Sequence, residues 1–211
     1  MRGMTMQPIA RCTWPGGDPE YLKYHDQQWG VPVYEDLELF EKLLLDGAQA
    51  GLSWITILKK QKNYQRAYDQ FDPIKMANWT DRKVEDLLQD RGIIRNRLKI
   101  HAARQNARAY LNLIEERENF SDFIWSFVNH EPITNYWKTW RQTPATTSES
   151  EKMSKELKSR GFQFVGPTIC YAFMQAVGLV NDHLVTCYRH AEIMELSGAI
   201  PSVPACNIRS T

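Results

Sequence analysis

The sequence predicts an all-α fold, and three observations carry that reading. Almost nothing alternates with period two. Apolar residues recur at spacings of three and four instead. Capping and stopping residues stand where helices of ordinary length would begin and end. The chain has 211 residues, which suits one large domain or two small lobes sharing a core.

The elements follow in order. Asp36 is placed to cap a helix with the face Leu37, Phe40, Leu43 and Leu44, and that helix carries Asp46 near its end. Gly47 and Gly51 leave its C-terminal boundary open. A helix bearing Tyr64 and Tyr68 precedes the break at Asp72-Pro73. Thr80 caps a helix with Val84, Leu87 and Leu88, stopped by Gly92. Ile100, Ala103, Ala107, Tyr110, Leu111 and Ile114 mark a long amphipathic helix. SDFIWSFVNH reads as a further helical segment. Thr139 to Ser150 is polar, holds Pro144 and reads as a loop. Ser148 and Glu151 have capping-box spacing and open a helix through Met153 and Leu157, ending at Gly161. Gly166-Pro167 restarts a helix that ends near Gly178. The tail from 189 to 211 contains AIPSVPAC and reads as irregular.

Net charge is +1, with 26 basic and 25 acidic residues. That balance neither requires nor excludes nucleic acid, because a basic stripe can sit inside a neutral total. No apolar run reaches about 18 residues, so no membrane span is expected. The N-terminal stretch lacks an apolar signal core. The four cysteines, Cys12, Cys170, Cys187 and Cys206, are too unevenly spaced for a disulfide scaffold. A reducing cytoplasm is the expected compartment.

Residues 151–178 form two helices around a short turn. Such a unit can offer backbone N–H groups near Gly166 and Thr168 to a DNA phosphate, with Lys155, Lys158 and Arg160 adding charge. An ordinary helical hairpin with a solvated basic face fits the pattern equally well. Two more basic clusters stand at Arg91, Arg95, Arg97, Lys99 and Arg104, and at Lys59, Lys60 and Lys62. Cys12 and His25 near the start, with His183 and Cys187 near the end, have the residue types of a tetrahedral zinc set. Their spacing is not that of a zinc finger, and buried free cysteines are common. If real, the clip is structural, since protein fills all four positions. Asp46 lies in the apolar stretch LLLDGAQAGLSWITILKK with Trp54 eight residues on. From pattern alone, a helix-end carboxylate facing solvent is the simpler reading.

The segments RCTWPGGDPEYLKYHDQQWGVP, GAQAGLSWITILKK, FDPIKMANWT, SFVNH and RGFQFVGPTICYAFMQAVGLVNDH stand together with HLVTC. Over about residues 11–188 the chain closely resembles the bacterial 3-methyladenine DNA glycosylase I family. The resemblance implies a divergent helix-hairpin-helix glycosylase fold: one catalytic unit of two helical lobes over 11–188, with the hairpin at about 151–178. It implies a structural zinc on Cys12, His25, His183 and Cys187. It implies a lesion pocket made by Tyr24, Asp46 and Trp54, and backbone contacts from Lys158, Arg160, Gly166 and Thr168. Asp46 stands where the family typically has Glu, one methylene longer. The family lacks the catalytic Asp usual in the wider superfamily. Asn181 falls near that slot, with Asp182 beside it as a weaker candidate. The activity implied is removal of 3-methyladenine from alkylated double-stranded DNA, without strand cleavage, catalytic cofactor, membrane or obligate protein partner. Three rivals stay open: a DNA-binding module without activity, a glycosylase for another alkylated base, and a zinc-clipped helical scaffold.

Overall fold

The computed structural model describes residues 9–116 and 119–198. It is mostly helical, with eleven α-helices among the described residues. Much of the core is built on α2 (Asp36–Gln49), whose Leu39, Phe40, Leu43, Leu44 and Leu45 are buried. It packs against α3 (Trp54–Leu58), α7 (Arg97–Glu116), α8 (Phe120–Trp125) and α10 (Pro167–Ala176). Leu37, expected on that face, is exposed. Asp36 does not cap α2 either. Glu35 stands at the N-cap, and the Asp36 carboxylate accepts from the N–H groups of Phe120 and Ser121, at 2.9 and 2.8 Å. It thus satisfies the opening donors of α8, a partner 84 residues away that local spacing could not reveal.

Other boundaries follow the local chemistry. Asp18 caps α1 (Pro19–Gln27), with Pro at its first position. The Tyr64 helix, α4 (Gln61–Ala67), ends one residue before Tyr68. Asp72 caps α5 (Pro73–Ala77), and Thr80 caps α6 (Asp81–Gln89) as expected. α9 (Ser148–Ser159) begins with a capping box on Thr147 and Ser150, one residue earlier than Ser148 and Glu151. Thr147 keeps extended dihedrals while Ser148 is already helical, so Thr147 holds the free hydroxyl geometry. Two short strands, β1 (Ile133–Thr134) and β2 (Val180–Asn181), pair in parallel, so the fold is not purely helical. The expected irregular tail is corrected over its first part. Tyr188–Gly198 forms α11, with His190 and Ile193 buried at helical spacing. Residues 199–211, including AIPSVPAC, lie outside the described residues.

The α9–α10 turn is pinned from outside. Asn106 on α7 donates to the Gln163 carbonyl at 3.0 Å and accepts from the Gln163 N–H at 2.7 Å. Ser154 Oγ donates to the Val165 carbonyl at 2.6 Å. Phe164 in that turn presses on Gly47 of α2, where an added Cβ would lie 3.3 Å from Phe164 Cβ. Gly178, just after α10, has φ +76°, and a Cβ there would lie 2.5 Å from the Pro32 nitrogen. Glycine at 178 therefore lets α10 end against residues 31–33. Among the described residues, no helix is long and apolar enough to cross a membrane.

Candidate base pocket and metal centre

Tyr24 and His25 are consecutive residues on α1, both buried, and they serve two different sites. Tyr24 faces a cavity of about 260 Å³, lined also by Trp14, Lys42, Asp46, Trp54, Trp140 and Gln175. The Tyr24 and Trp54 rings lie 5.4 Å apart at 44°. Asp46, on the last turns of α2, is 2 % exposed and faces this cavity, not solvent. The three residues of the expected lesion pocket therefore meet in one cavity.

Asp46 is not alone. Lys42, one turn earlier on α2, places Nζ 2.5 Å from Asp46 Oδ1 and 3.8 Å from the Trp54 ring centre. Burial pushes the Asp46 carboxyl up and the Lys42 ammonium down, and their mutual attraction opposes both shifts. Asp46 Oδ2 and the ring N–H groups of Trp14 and Trp54 are buried without a partner. Native interiors rarely leave such groups unpaired, so they mark a place for a polar ligand. Tyr24 is held well above its usual pKa by burial and by the Asp46 charge, so it stays a neutral phenol. Sequence reasoning missed Lys42, Trp14 and Gln175. The i,i+4 spacing of Lys42 and Asp46 was the one readable signal.

His25 points the other way. Cys12, His25, His183 and Cys187 are all buried, and their ligand atoms lie within 4.8 Å of one another. Cys187 Sγ is 3.5 Å from His25 Nε2 and 3.6 Å from His183 Nδ1, and Cys12 Sγ is 3.6 Å from His183 Nδ1. The outer nitrogens are taken: His25 Nδ1 by Asp26 at 2.8 Å and His183 Nε2 by the Trp29 carbonyl at 3.1 Å. Donating outward leaves each inner nitrogen a lone pair toward the sulfurs, the arrangement of metal-ligating histidines. Burial holds His183 below its usual pKa, hence neutral. A shared hydrogen bond to Cys12 and contacts with both imidazoles push the Cys187 thiol far down, while that bond and burial push Cys12 up. The cluster can hold a metal ion. His183 and Cys187 meet across a turn before α11.

Asp182 is buried and saturated. It accepts from Asn135, Trp137, Tyr171 and Gln175 at 2.5–2.8 Å. It ties α10 to the segment after β1 and does not line the base cavity. Asn181 is spent on the His190 carbonyl and the His183 N–H.

At the α9–α10 turn, Lys155, Lys158 and Thr168 are exposed. Gly166 is the N-cap of α10 with no side-chain cap, and open space lies where its Cβ would be. Arg160 differs from expectation. It pairs with Glu116 at 2.7 Å and Glu156 at 2.9 Å and lies over Phe123. The second basic cluster is also largely committed. Arg97 pairs with Glu85, Arg104 with Asp81, and Lys99 caps the carbonyls of Ala48 and Ala50 at the end of α2. Lys59 of the third cluster pairs with Asp18. Gly51 has φ +77° in the turn after α2, and Leu52 beside it is exposed.

Comparison with known proteins gives one answer. A methyladenine glycosylase family model matches residues 14–190. DNA-3-methyladenine glycosylase 1 of Escherichia coli (strain K12) is 55 % identical over 179 residues, covering 85 % of this chain and 96 % of that protein. A crystal structure of 3-methyladenine DNA glycosylase I superposes with a TM-score of 0.84 at 51 % identity, covering 85 % of this chain and 98 % of the other. A structure of the Staphylococcus aureus 3-methyladenine DNA glycosylase I, described as the basis of its 3-methyladenine recognition, superposes at 0.83 with 36 % identity, covering 86 % and 97 %. With relatives this similar over nearly their whole length, the chain belongs to the methyladenine glycosylase family.

Proposed function

We propose that this protein is a DNA-3-methyladenine glycosylase. It takes the damaged nucleotide out of double-stranded DNA and hydrolyses its N-glycosidic bond, leaving the strand intact. The observation that carries this reading is the cavity where Tyr24, Asp46 and Trp54 converge with an unpaired buried carboxylate oxygen.

The chemistry suits so sparse a site. Methylation at N3 puts a positive charge on the adenine ring while it is still attached to the sugar. The aromatic faces of Tyr24 and Trp54 attract such a ring, and Asp46 attracts its charge and accepts from its polar edge. The base must leave the stack to reach them. As the C1′–N9 bond breaks, its electron pair neutralises the ring, and 3-methyladenine departs uncharged. Water forms the new bond to C1′ and releases a proton to solvent. No general acid is needed for a leaving group that is already cationic.

We assign the catalytic unit to about residues 11–188, with α9, the turn and α10 as its helix-hairpin-helix. The uncapped α10 N-terminus, with Gly166, Thr168 and exposed Lys158, suits a DNA phosphate. Arg160 supports the turn instead, through Glu116 and Glu156. The metal assigned to the four-residue cluster is zinc, in a structural role. At the center of a tetrahedron, bonds of about 2.3 Å to sulfur and 2.0 Å to nitrogen put S and N about 3.5 Å apart. The cluster's S···N distances of 3.5–3.6 Å support that fit.

Chromatography of bases released from methylated DNA tests the activity and its substrate together. Release of 3-methyladenine well ahead of 7-methylguanine is expected. No release of either base overturns the proposal.

A further inference from the structure

Lys42 has no role in the reading above beyond balancing Asp46, yet it stands in the middle of the base pocket. Its ammonium is 2.5 Å from Asp46 Oδ1 and 3.8 Å from the centre of the Trp54 ring, and its side chain is 15 % exposed. Those are the two attractions a cationic base would use. The lysine therefore occupies the place where positive charge is wanted.

It also has somewhere else to go. Lys42 lines a second cavity of about 440 Å³, with Glu38, Glu41, Gln61 and Gln65 on its wall. Glu38 lies one helical turn before Lys42 on α2, as Asp46 lies one turn after. Glutamate four residues ahead of lysine is a favourable pairing. Glu38 is exposed and has no ion pair among the described residues. Glu41 already accepts from Gln61 and Gln65 at 3.1 and 2.9 Å. Rotation of the Lys42 side chain toward this cavity would carry its ammonium from the Asp46 side to the Glu38 side of α2.

We propose that Lys42 is a resident counter-cation of the base pocket, which leaves Trp54 and Asp46 for Glu38 when a cationic base enters and so makes the pocket select for positive charge. The inference rests on the assignment of this cavity to an alkylated base. One cation replaces another, and Asp46 is compensated before and after. A neutral purine that evicts the ammonium leaves Asp46 buried beside no positive charge, or forces it to take a proton. Undamaged adenine meets that penalty, and the methylated ring does not.

The charged and titratable groups around the pair are few. Glu38 and Glu41 share its helix. Tyr24 on α1 and Cys170 on α10 both sense the Asp46 charge, and Lys158 acts on Cys170 from α9. Tyr24 and Cys170 are both shifted upward by burial, so neither changes charge near neutrality.

Binding of two small probes tests the inference: 3,9-dimethyladeninium, a permanent cation, and 9-methyladenine, its neutral counterpart. Dissociation constants are measured by calorimetry from pH 6 to 8 for the parental protein, Lys42→Met and Lys42→Arg. The parent should prefer the cation with little pH dependence. In Lys42→Met, Asp46 loses its ammonium and takes up a proton in the empty pocket. The cation must then expel that proton, so its binding should tighten as pH rises. The preference for the cation at pH 7 should fall tenfold or more, because the neutral probe no longer evicts anything. Lys42→Arg should keep the parental pattern. Lys42→Gln replaces Lys42→Met if the latter does not fold. An unaltered preference and a flat pH profile in the neutral variant overturn the inference while leaving the base pocket standing. Failure of the parent to bind either probe removes the pocket assignment itself, and the inference with it.

Discussion

Asp46→Asn separates capture of the damaged base from the bond-breaking step. The substitution keeps the shape and an acceptor oxygen but removes the charge. In the reaction, positive charge sits on the base first and moves toward the sugar as the bond breaks. A carboxylate in the base pocket therefore acts on the bound, flipped nucleotide at least as strongly as on the transition state. The loss should fall on kcat/KM more than on kcat. A charged hydrogen bond contributes about 1.5–3 kcal/mol, which corresponds to a fall of about 10- to 150-fold. Stability should change little, since burial disfavours the charge that is removed and Lys42 can turn to Glu38. The assay is single-turnover base release across enzyme concentrations, beside thermal melting and binding to undamaged duplex. Undamaged duplex should bind as before, because Asp46 faces the cavity and not the α9–α10 surface. Parental kcat/KM in the Asn variant would refute the reasoning. The pH dependence has a definite sign. Burial raises the Asp46 carboxyl above its ordinary value of 3.8. Parental activity should therefore fall on the acid side at a higher pH than a free carboxylate titrates. Stability attributable to Asp46 runs the opposite way: it is greatest below the unfolded pKa and is lost as pH rises through the folded one.

Two further outcomes are expected. Elemental analysis after chelation and refilling should find one zinc per chain, and chelation should lower the melting temperature by several degrees, because the ion binds the folded cluster alone; folded protein that melts identically without metal would contradict this. Lys158→Ala should weaken binding to damaged and undamaged DNA alike and reduce the salt slope by about one, whereas Arg160→Ala should lower the melting temperature and leave the slope unchanged, because its charge is already spent on Glu116 and Glu156.

The helices α2, α4 and α6 to α10 were legible because each needs only its own periodicity and caps, whereas α1, α3 and α5 were not read from the sequence. Thr80 caps as its sequence position says, whereas Asp72, read as a break, caps the short α5. Asp36 failed as a cap because its partners, Phe120 and Ser121, arrive by tertiary packing. α11 was missed because the Pro-rich composition of 199–206 was extended backward over Tyr188–Gly198, where His190 and Ile193 carried a readable helical spacing. A two-residue strand pair has too few residues to show a period. At the site, pattern alone favoured a solvent-facing Asp46, and the family resemblance turned it inward. Lys42 escaped both, because its place over Trp54 depends on how α3 meets α2. The four metal-site residues could be named from their types, but the outward bonds of His25 to Asp26 and of His183 to Trp29 needed the folded backbone.

The metal cluster joins Cys12 to His183 across 171 residues and His25 to Cys187 across 162. On a ribosome adding about 5–20 residues per second, the first two ligands wait roughly 8–30 s for the second two. For that interval a cysteine and a histidine sit on nascent chain with half a binding site. Tyr24, which shares α1 with His25, lines a cavity that also takes Trp140, Gln175 and Ala176, so that cavity too waits for the later half of the chain. The earlier-made segment is thus completed late, and the cavity and the four-residue cluster both wait on the later half of the chain. Under the zinc assignment proposed above, metal supply in the seconds after synthesis, and not only at equilibrium, sets when the cluster closes.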